Sequence, residues 1–362
     1  VLDDSLLDDP ARLTDHDTAG LLRAGASAGA QVRATAEAAT EAGLADLLDV
    51  RPRALVLVTR PGVGPEVARL LAALLGPSCP VPLVVADAVP SWVGALDVVL
   101  AHTEDAGDDV LAESVDRASR RGARVVLTAP EEGPVAAAAA GQAVLLPPRV
   151  PLPPGFSFPR AFTAGLLVVH GLGLLRTDIG VLADELDVEA ERDHPVHESF
   201  VNPAKSIALR LAERTPLLWG LDPVAVAVAG RAAGALAGFA GVVCDVASYS
   251  QAMTRPGLHR AVLRQASSGA DIFADPEDQQ KAGAGLRVQL LAVRQGPEVQ
   301  VAKRAVADAL PGADLMEPAD EVSGGEAVCA AMLALRFELA ALYLGLAAGT
   351  LGGAVPPAPV GA

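Results

Sequence analysis

Lysine is nearly missing from this chain of 362 residues: only Lys205, Lys281 and Lys303 occur, against 25 arginines. With 44 acidic and 28 basic residues the formal charge is −16, and a surface short of positive charge argues against sequence-independent binding to nucleic acid or an anionic bilayer. A small-molecule ligand is the expectation that remains. Aromatic residues make up only 3%, and with the Ala, Arg, Gly and Pro excess this reads as the codon bias of a GC-rich genome. The three cysteines, Cys79, Cys244 and Cys329, are far apart and show no CxxC spacing, so neither a disulfide framework nor a thiolate metal site is indicated. No uninterrupted apolar run reaches the roughly 18 residues of a membrane span; the stretch 161–175 is broken by His170 and several glycines. The opening Val1-Leu2-Asp3-Asp4 is acidic where a signal peptide is basic, and a cytoplasmic location is expected. There is no GxGxxG and no GxxxxGK[ST], which removes dinucleotide and P-loop readings.

What is present is apolar material, 51% of the residues, in a length that suits two domains. Helical spacing over 18–48 is followed by a different texture. Ala54–Thr59 is an apolar run of strand length, then come Arg60-Pro61-Gly62-Val63-Gly64-Pro65 and an amphipathic stretch, 66–75. Runs at 83–86, 97–101, 124–128 and 143–146 repeat the unit, with a helix expected at 109–121. Strands apolar on both faces and alternating with helices predict a mainly parallel sheet covered on two sides. Pro147–Gly155 carries five prolines and reads as a semi-rigid connector. Helical periodicity then runs through 161–192. A second α/β series follows: helix 203–213, strand 216–219, helix 223–236, strand 241–244, loop 275–280, strand 286–291, helix 297–309 and helix 324–348. The expected division is 1–48 helical, 49–155 first α/β domain, 156–200 connecting helices, 201–348 second α/β domain and 349–362 tail.

Ligands of open parallel sheets bind beyond the carboxyl ends of the strands. The loop Thr59-Arg60-Pro61-Gly62-Val63-Gly64 offers a hydroxyl, a guanidinium and two glycines suited to an anion; its bland reading is a tight turn with a solvated arginine. The loop 101–109 adds His102 and Thr103 as binding candidates beside four carboxylates that suit helix capping. Arg160 follows Phe158-Pro159 where the connector enters a helix, and reads either as a cation fixed between the two halves or as a helix-start arginine in water. His194 and His197 are three apart, but the proline between them and the lack of a third ligand speak against a metal.

Together these residues resemble the sugar isomerase (SIS) family, specifically the bifunctional phosphoglucose/phosphomannose isomerases and their actinobacterial relatives. The best-matching pieces are Gly25–Arg33, Pro159-Arg160-Ala161, Asn202-Pro203-Ala204-Lys205 and Asp271-Ile272-Phe273, and the likeness runs from Leu2 to the helix around Leu342–Gly345. The resemblance implies two SIS-type αβα sandwich domains with mainly parallel sheets, a homodimer, no metal or other cofactor, and interconversion of aldose and ketose 6-phosphates through an enediol. It makes Arg160 the arginine that steadies the enediolate.

The chain also departs from the family. The first phosphate loop, Met-Gly-Gly-Ser in the family, corresponds to Arg60-Pro61-Gly62-Val63-Gly64, and the second, Ser-Tyr-Ser-Gly-Asn-Thr-Glu-Glu, to 101–109. The catalytic stretch of the family, with its base Glu and ring-opening His, corresponds to Cys244–Ala252, which holds neither, and no lysine follows Lys303. Positioned acid or base groups contribute about 10²–10⁴-fold each. The expectation is therefore a phosphosugar-binding protein with reduced or lost catalysis, or a holder of a partner enzyme of mannose metabolism. Two alternatives remain: an active isomerase of mannose 6-phosphate, glucose 6-phosphate and fructose 6-phosphate that uses Asp245, His259 and Arg160 as replacements, and a non-catalytic interaction protein.

Overall fold

The computed structural model describes residues 2–268, 285–310, 312–318, 322 and 324–351. Asp271-Ile272-Phe273, the loop 275–280 and the tail beyond 351 lie outside them. A 3-10 turn, Asp4–Asp8, leads into α1 (Pro10–His16), α2 (Leu21–Ala26), α3 (Ala28–Glu41) and α4 (Leu44–Leu47). The first α/β series is β1 (Ala54–Thr59), α5 (Gly64–Leu75), β2 (Leu83–Ala86), β3 (Asp97–His102), α6 (Asp109–Arg120), β4 (Arg124–Thr128), α7 (Pro134–Ala139) and β5 (Ala143–Leu145). Three helices follow, α8 (Phe158–Gly171), α9 (Ile179–Arg192) and α10 (Pro203–Leu211). The second series is β6 (Arg214–Gly220), α11 (Pro223–Ala240), β7 (Asp245–Ser248), α12 (Tyr249–Met253), α13 (Pro256–Ser268), β8 (Gly285–Leu291), α14 (Pro297–Ala309), β9 (Asp314–Met316) and α15 (Glu326–Ala347).

Both sheets are parallel, in the orders β2-β1-β3-β4-β5 and β7-β6-β8-β9. The continuous apolar runs follow from burial on both faces. Leu55 and Leu57 of β1 face a core shared by both halves, and Val56 and Val58 face an outer core beneath α6 and α7. In β6, Leu218 joins the shared core while Leu217 and Trp219 face the outer core of the second half. Helices α5, α8, α11 and α15 thus form a common middle layer between the two sheets. The two parallel αβα units of the expected fold class are both present.

Two helices, α11 and α15, are long and apolar enough to cross a membrane by length and composition, and 94% of the relevant window of α15 is buried inside the protein. Their charged residues explain the placement. Arg231 of α11 bonds Glu66 of α5 at 2.9 Å and also bonds Glu338 of α15, while Arg336 of α15 pairs with Glu189 of α9. These charges meet protein partners on neighbouring helices.

One expected strand is misplaced. Residues 241–244 turn the chain instead of extending it: Gly241 ends α11 with φ +66°, and the Val242 amide donates back to the Leu236 carbonyl. The strand begins at Asp245, opposite Leu217.

Candidate functional site

The carboxyl ends of β3 and β4 converge on the start of α8. His102, the last residue of β3, has Nδ1 2.7 Å from Thr128 Oγ1 at the end of β4 and Nε2 3.1 Å from Ser157 Oγ. Ser157 precedes α8 and makes no side-chain cap there, because its hydroxyl is used by the imidazole. Burial pushes the His102 imidazole down to about 3, and the nearby Arg160 charge acts in the same direction. At neutral pH His102 is uncharged and enclosed. It joins two strands to a helix start and is poorly suited to carrying protons.

Arg160 lies in the first turn of α8, and it is not in water. The residue is 8% exposed, and its Nη1 is buried with no hydrogen-bond partner. Burial lowers its pKa, an effect opposed by the charge of Glu104. No described carboxylate forms an ion pair with it. A guanidinium so placed, beside the positive end of a helix dipole, favours an anion.

Arg160 borders a cavity of about 450 Å³. Gln31 and Thr35 of α3, Glu104 after β3, Pro130 after β4 and Ser157 supply the rest of the polar and helical wall, and the connector from Pro147 to Pro154 forms the other side. The proline-rich segment therefore does more than link the halves. Gln31 falls within the Gly25–Arg33 match and Ser157 directly precedes Phe158-Pro159-Arg160, but periodicity alone singled out neither. Glu104 sat in the second loop, where its neighbours made capping the simpler expectation.

The loop after β1 is arranged differently from the expectation of a free anion-binding arginine. Arg60 Nε and Nη2 donate to Asp108 Oδ2 and Oδ1 at 2.6 and 3.0 Å, and Nη1 donates to the Asp87 carbonyl at 3.0 Å. Gly62 has φ +109°, and a Cβ there would stand 4.0 Å from Glu104 Oε2, so this turn abuts the cavity mouth. The Thr59 hydroxyl reaches the Ala86 carbonyl at 3.4 Å, and Gly64 opens α5. Thr103 is buried and its hydroxyl accepts the Asp105 amide at 3.1 Å, an ordinary loop-closing role.

Asp245 and His259 do not line the cavity. Asp245 is the first residue of β7, at the strand's amino end, where it accepts hydrogen bonds from Trp219 Nε1 at 3.0 Å and Arg255 Nη1 at 2.7 Å. His259 lies on α13, against the outer core of the second half. The idea of Asp245 as a replacement base is corrected on placement: its carboxylate ties the start of α13 to the sheet. Among the described residues no group of three or more His, Cys, Asp or Glu could hold a metal ion.

A second cavity of about 530 Å³ lies between the end of α5 and the start of α15. Its Arg294 is already engaged, with Nε on Glu326 at 2.9 Å and Nη2 on the Ala73 carbonyl at 3.2 Å. The unpaired buried cation marks the first cavity as the candidate.

The arrangement of paired parallel sheets around shared helices matches solved structures over nearly the whole chain. A putative phosphosugar isomerase from Silicibacter pomeroyi aligns with TM-score 0.58 and 16% identity, over 91% of this chain and 97% of that one. The chain shares the fold of that protein, two SIS-type αβα units with parallel sheets. Tagatose-6-phosphate ketose/aldose isomerase from Escherichia coli has TM-score 0.56 and 11% identity, over 94% and 95% of the two chains. A hypothetical protein from Thermus thermophilus reaches TM-score 0.61 at 14% identity, over 94% of this chain and 89% of the other. No family model matches the sequence, and no curated protein does. The likeness is one of fold, at 11–16% identity.

Proposed function

We propose that the protein binds a sugar phosphate, or a closely related anionic metabolite, in the cavity beside Arg160, with little or no isomerase turnover. The observation that carries this reading is Arg160 itself, 8% exposed with an unpartnered Nη1. The exposed Glu104 offsets the burial of that charge only in part, and an anionic group in the cavity would offset the rest. The Gln31 side chain suits sugar hydroxyls, and the proline wall suits the apolar face of a ring. The solved neighbours named for phosphosugar isomerases support the ligand class by likeness of fold.

Aldose–ketose interconversion needs a base within hydrogen-bonding reach of the carbon-bound proton. The only carboxylate lining the cavity among the described residues is Glu104, which is exposed, and the nearby imidazole, His102, is neutral and held by two hydroxyls. This supports binding over turnover. The homodimer implied by the family resemblance belongs to the same proposal, and sedimentation equilibrium tests it.

Thermal unfolding with fructose, mannose and glucose 6-phosphates tests the binding. A ligand at about 100 times its Kd stabilises the fold by roughly 2.7 kcal/mol. Arg160→Ala is expected to abolish that shift without lowering the unliganded Tm, because the buried charge goes with the side chain. Equal stabilisation of variant and wild type would remove Arg160 from the site, and no shift with any of the three would favour an interaction protein. A coupled assay showing turnover above about 1 s⁻¹ would overturn the loss of catalysis.

A further inference from the structure

In an open parallel sheet the anion site lies at the switch point, where the chain leaves neighbouring strands in opposite directions. In the first sheet β1 stands between β2 and β3, and the crevice lies between the loops after β1 and β3. In the second, β6 stands between β7 and β8, and the equivalent crevice lies between the loops after β6 and β8.

A carboxylate of the chain fills each crevice. Asp108 takes both Arg60 contacts, at 2.6 and 3.0 Å, and also the Leu111 amide at 3.0 Å as the N-cap of α6. Asp222 Oδ1 accepts the Ala225 amide at 2.9 Å, and its Oδ2 accepts the Val293 and Arg294 amides at 2.8 and 3.0 Å. Both residues are buried. The donors differ, a guanidinium in one half and backbone amides in the other, but the occupant has the same chemistry. The bidentate fork of Arg60 is the geometry that would otherwise grip a phosphoryl group, and Glu104 beside Gly62 adds a second negative charge at the same turn.

We propose that Asp108 and Asp222 are built-in anions occupying the two switch points, and that Asp108 determines specificity by denying the loop after β1 to a phosphoryl group, leaving ligand-anion recognition to Arg160. The last clause rests on the cavity reading above; the occupancy of the switch points does not.

The probe is inorganic phosphate, titrated by calorimetry and followed by ³¹P NMR. Asp108→Ser removes the charge and keeps a good N-cap, and Asp108→Asn does the same with a closer shape. Either variant, once shown to be folded by circular dichroism, is expected to bind phosphate at least tenfold more tightly than wild type, and a further Arg60→Ala is expected to erase the gain. In the wild-type background Arg60→Lys is expected to leave phosphate binding unchanged. Folded Asp108 variants with wild-type phosphate affinity would overturn the proposal, as would a wild-type site weakened as much by Arg60→Lys as by Arg160→Ala. If wild type binds no phosphate at all, the cavity reading fails while a gain in the Asp108 variants still upholds the switch-point assignment.

Discussion

Arginine at position 160 and histidine at position 102 are both polar residues in a sequence rich in apolar ones, and what each does depends on the groups around it. His102 is held neutral by burial, with its imidazole pushed down to about 3 from an ordinary 6.5. The unfolded chain therefore binds a proton between these values and the native state does not, so His102 contributes full stability above about pH 6.5 and loses it progressively as pH falls toward 3. Each unit in that window costs up to about 1.4 kcal/mol. His102→Gln is expected to flatten the fall of Tm between pH 6.5 and 4 relative to wild type, and parallel curves would show that His102 is not a source of acid sensitivity. The residue types at 102 and 160 were enough to mark them as candidates. Their roles were not legible, because neither the hydroxyl partners Thr128 and Ser157 nor the missing partner of Arg160 is adjacent in sequence. Asp245 shows the converse: a carboxylate in the matching stretch lies at the wrong end of its strand once the chain turns at 241–244.

Elements meet where small residues permit it. In the Gly25–Arg33 segment, a Cβ on Gly29 would lie 2.1 Å from Asp187 Oδ1 and 2.6 Å from the Ala183 carbonyl of α9. The carbonyl is backbone and cannot swing away, so α3 and α9 must separate. Gly29→Ala is expected to destabilise the fold by about 1–3 kcal/mol, as overpacking does, measured as a lower urea midpoint at unchanged m-value; an unchanged midpoint would refute the close approach. The strand positions of the first half were legible because each run is apolar on both faces. Strand β9, three residues long, carries no such signal, and helix α12, five residues long, is too short to show a period. The prolines of 147–155 predict an extended connector, but its use as a cavity wall follows from α3 standing across the cavity from it.

At the scale of the molecule the two halves share their middle layer. Arg231 of α11 reaches Glu66 of the first half and Glu338 of α15, and its guanidinium carbon lies 4.9 Å from the centre of the Phe158 ring, two residues before Arg160. Burial raises the pKa of both Glu66 and Glu338, against the pull of the arginine. Arg231→Met would leave two carboxylates buried without their cation, a change expected to cost about 3–5 kcal/mol, while Glu66→Gln in the same background is expected to recover part of the loss. With one core running through both halves, scanning calorimetry is expected to show a single transition; two resolved transitions would mean that the halves unfold independently.

The sequence by itself determined the alternation of buried strands and helices, hence two parallel α/β units and their order along the chain, because burial on both faces leaves a local record in consecutive apolar residues. Only the tertiary structure decided which charged groups are free and which are spent: Arg60 on Asp108, Asp222 on three backbone amides, Asp245 on Trp219 and Arg255, with Arg160 left unpaired beside a cavity. Pairing of charges depends on distances between residues far apart in the chain, and a sequence records composition and spacing but not those distances.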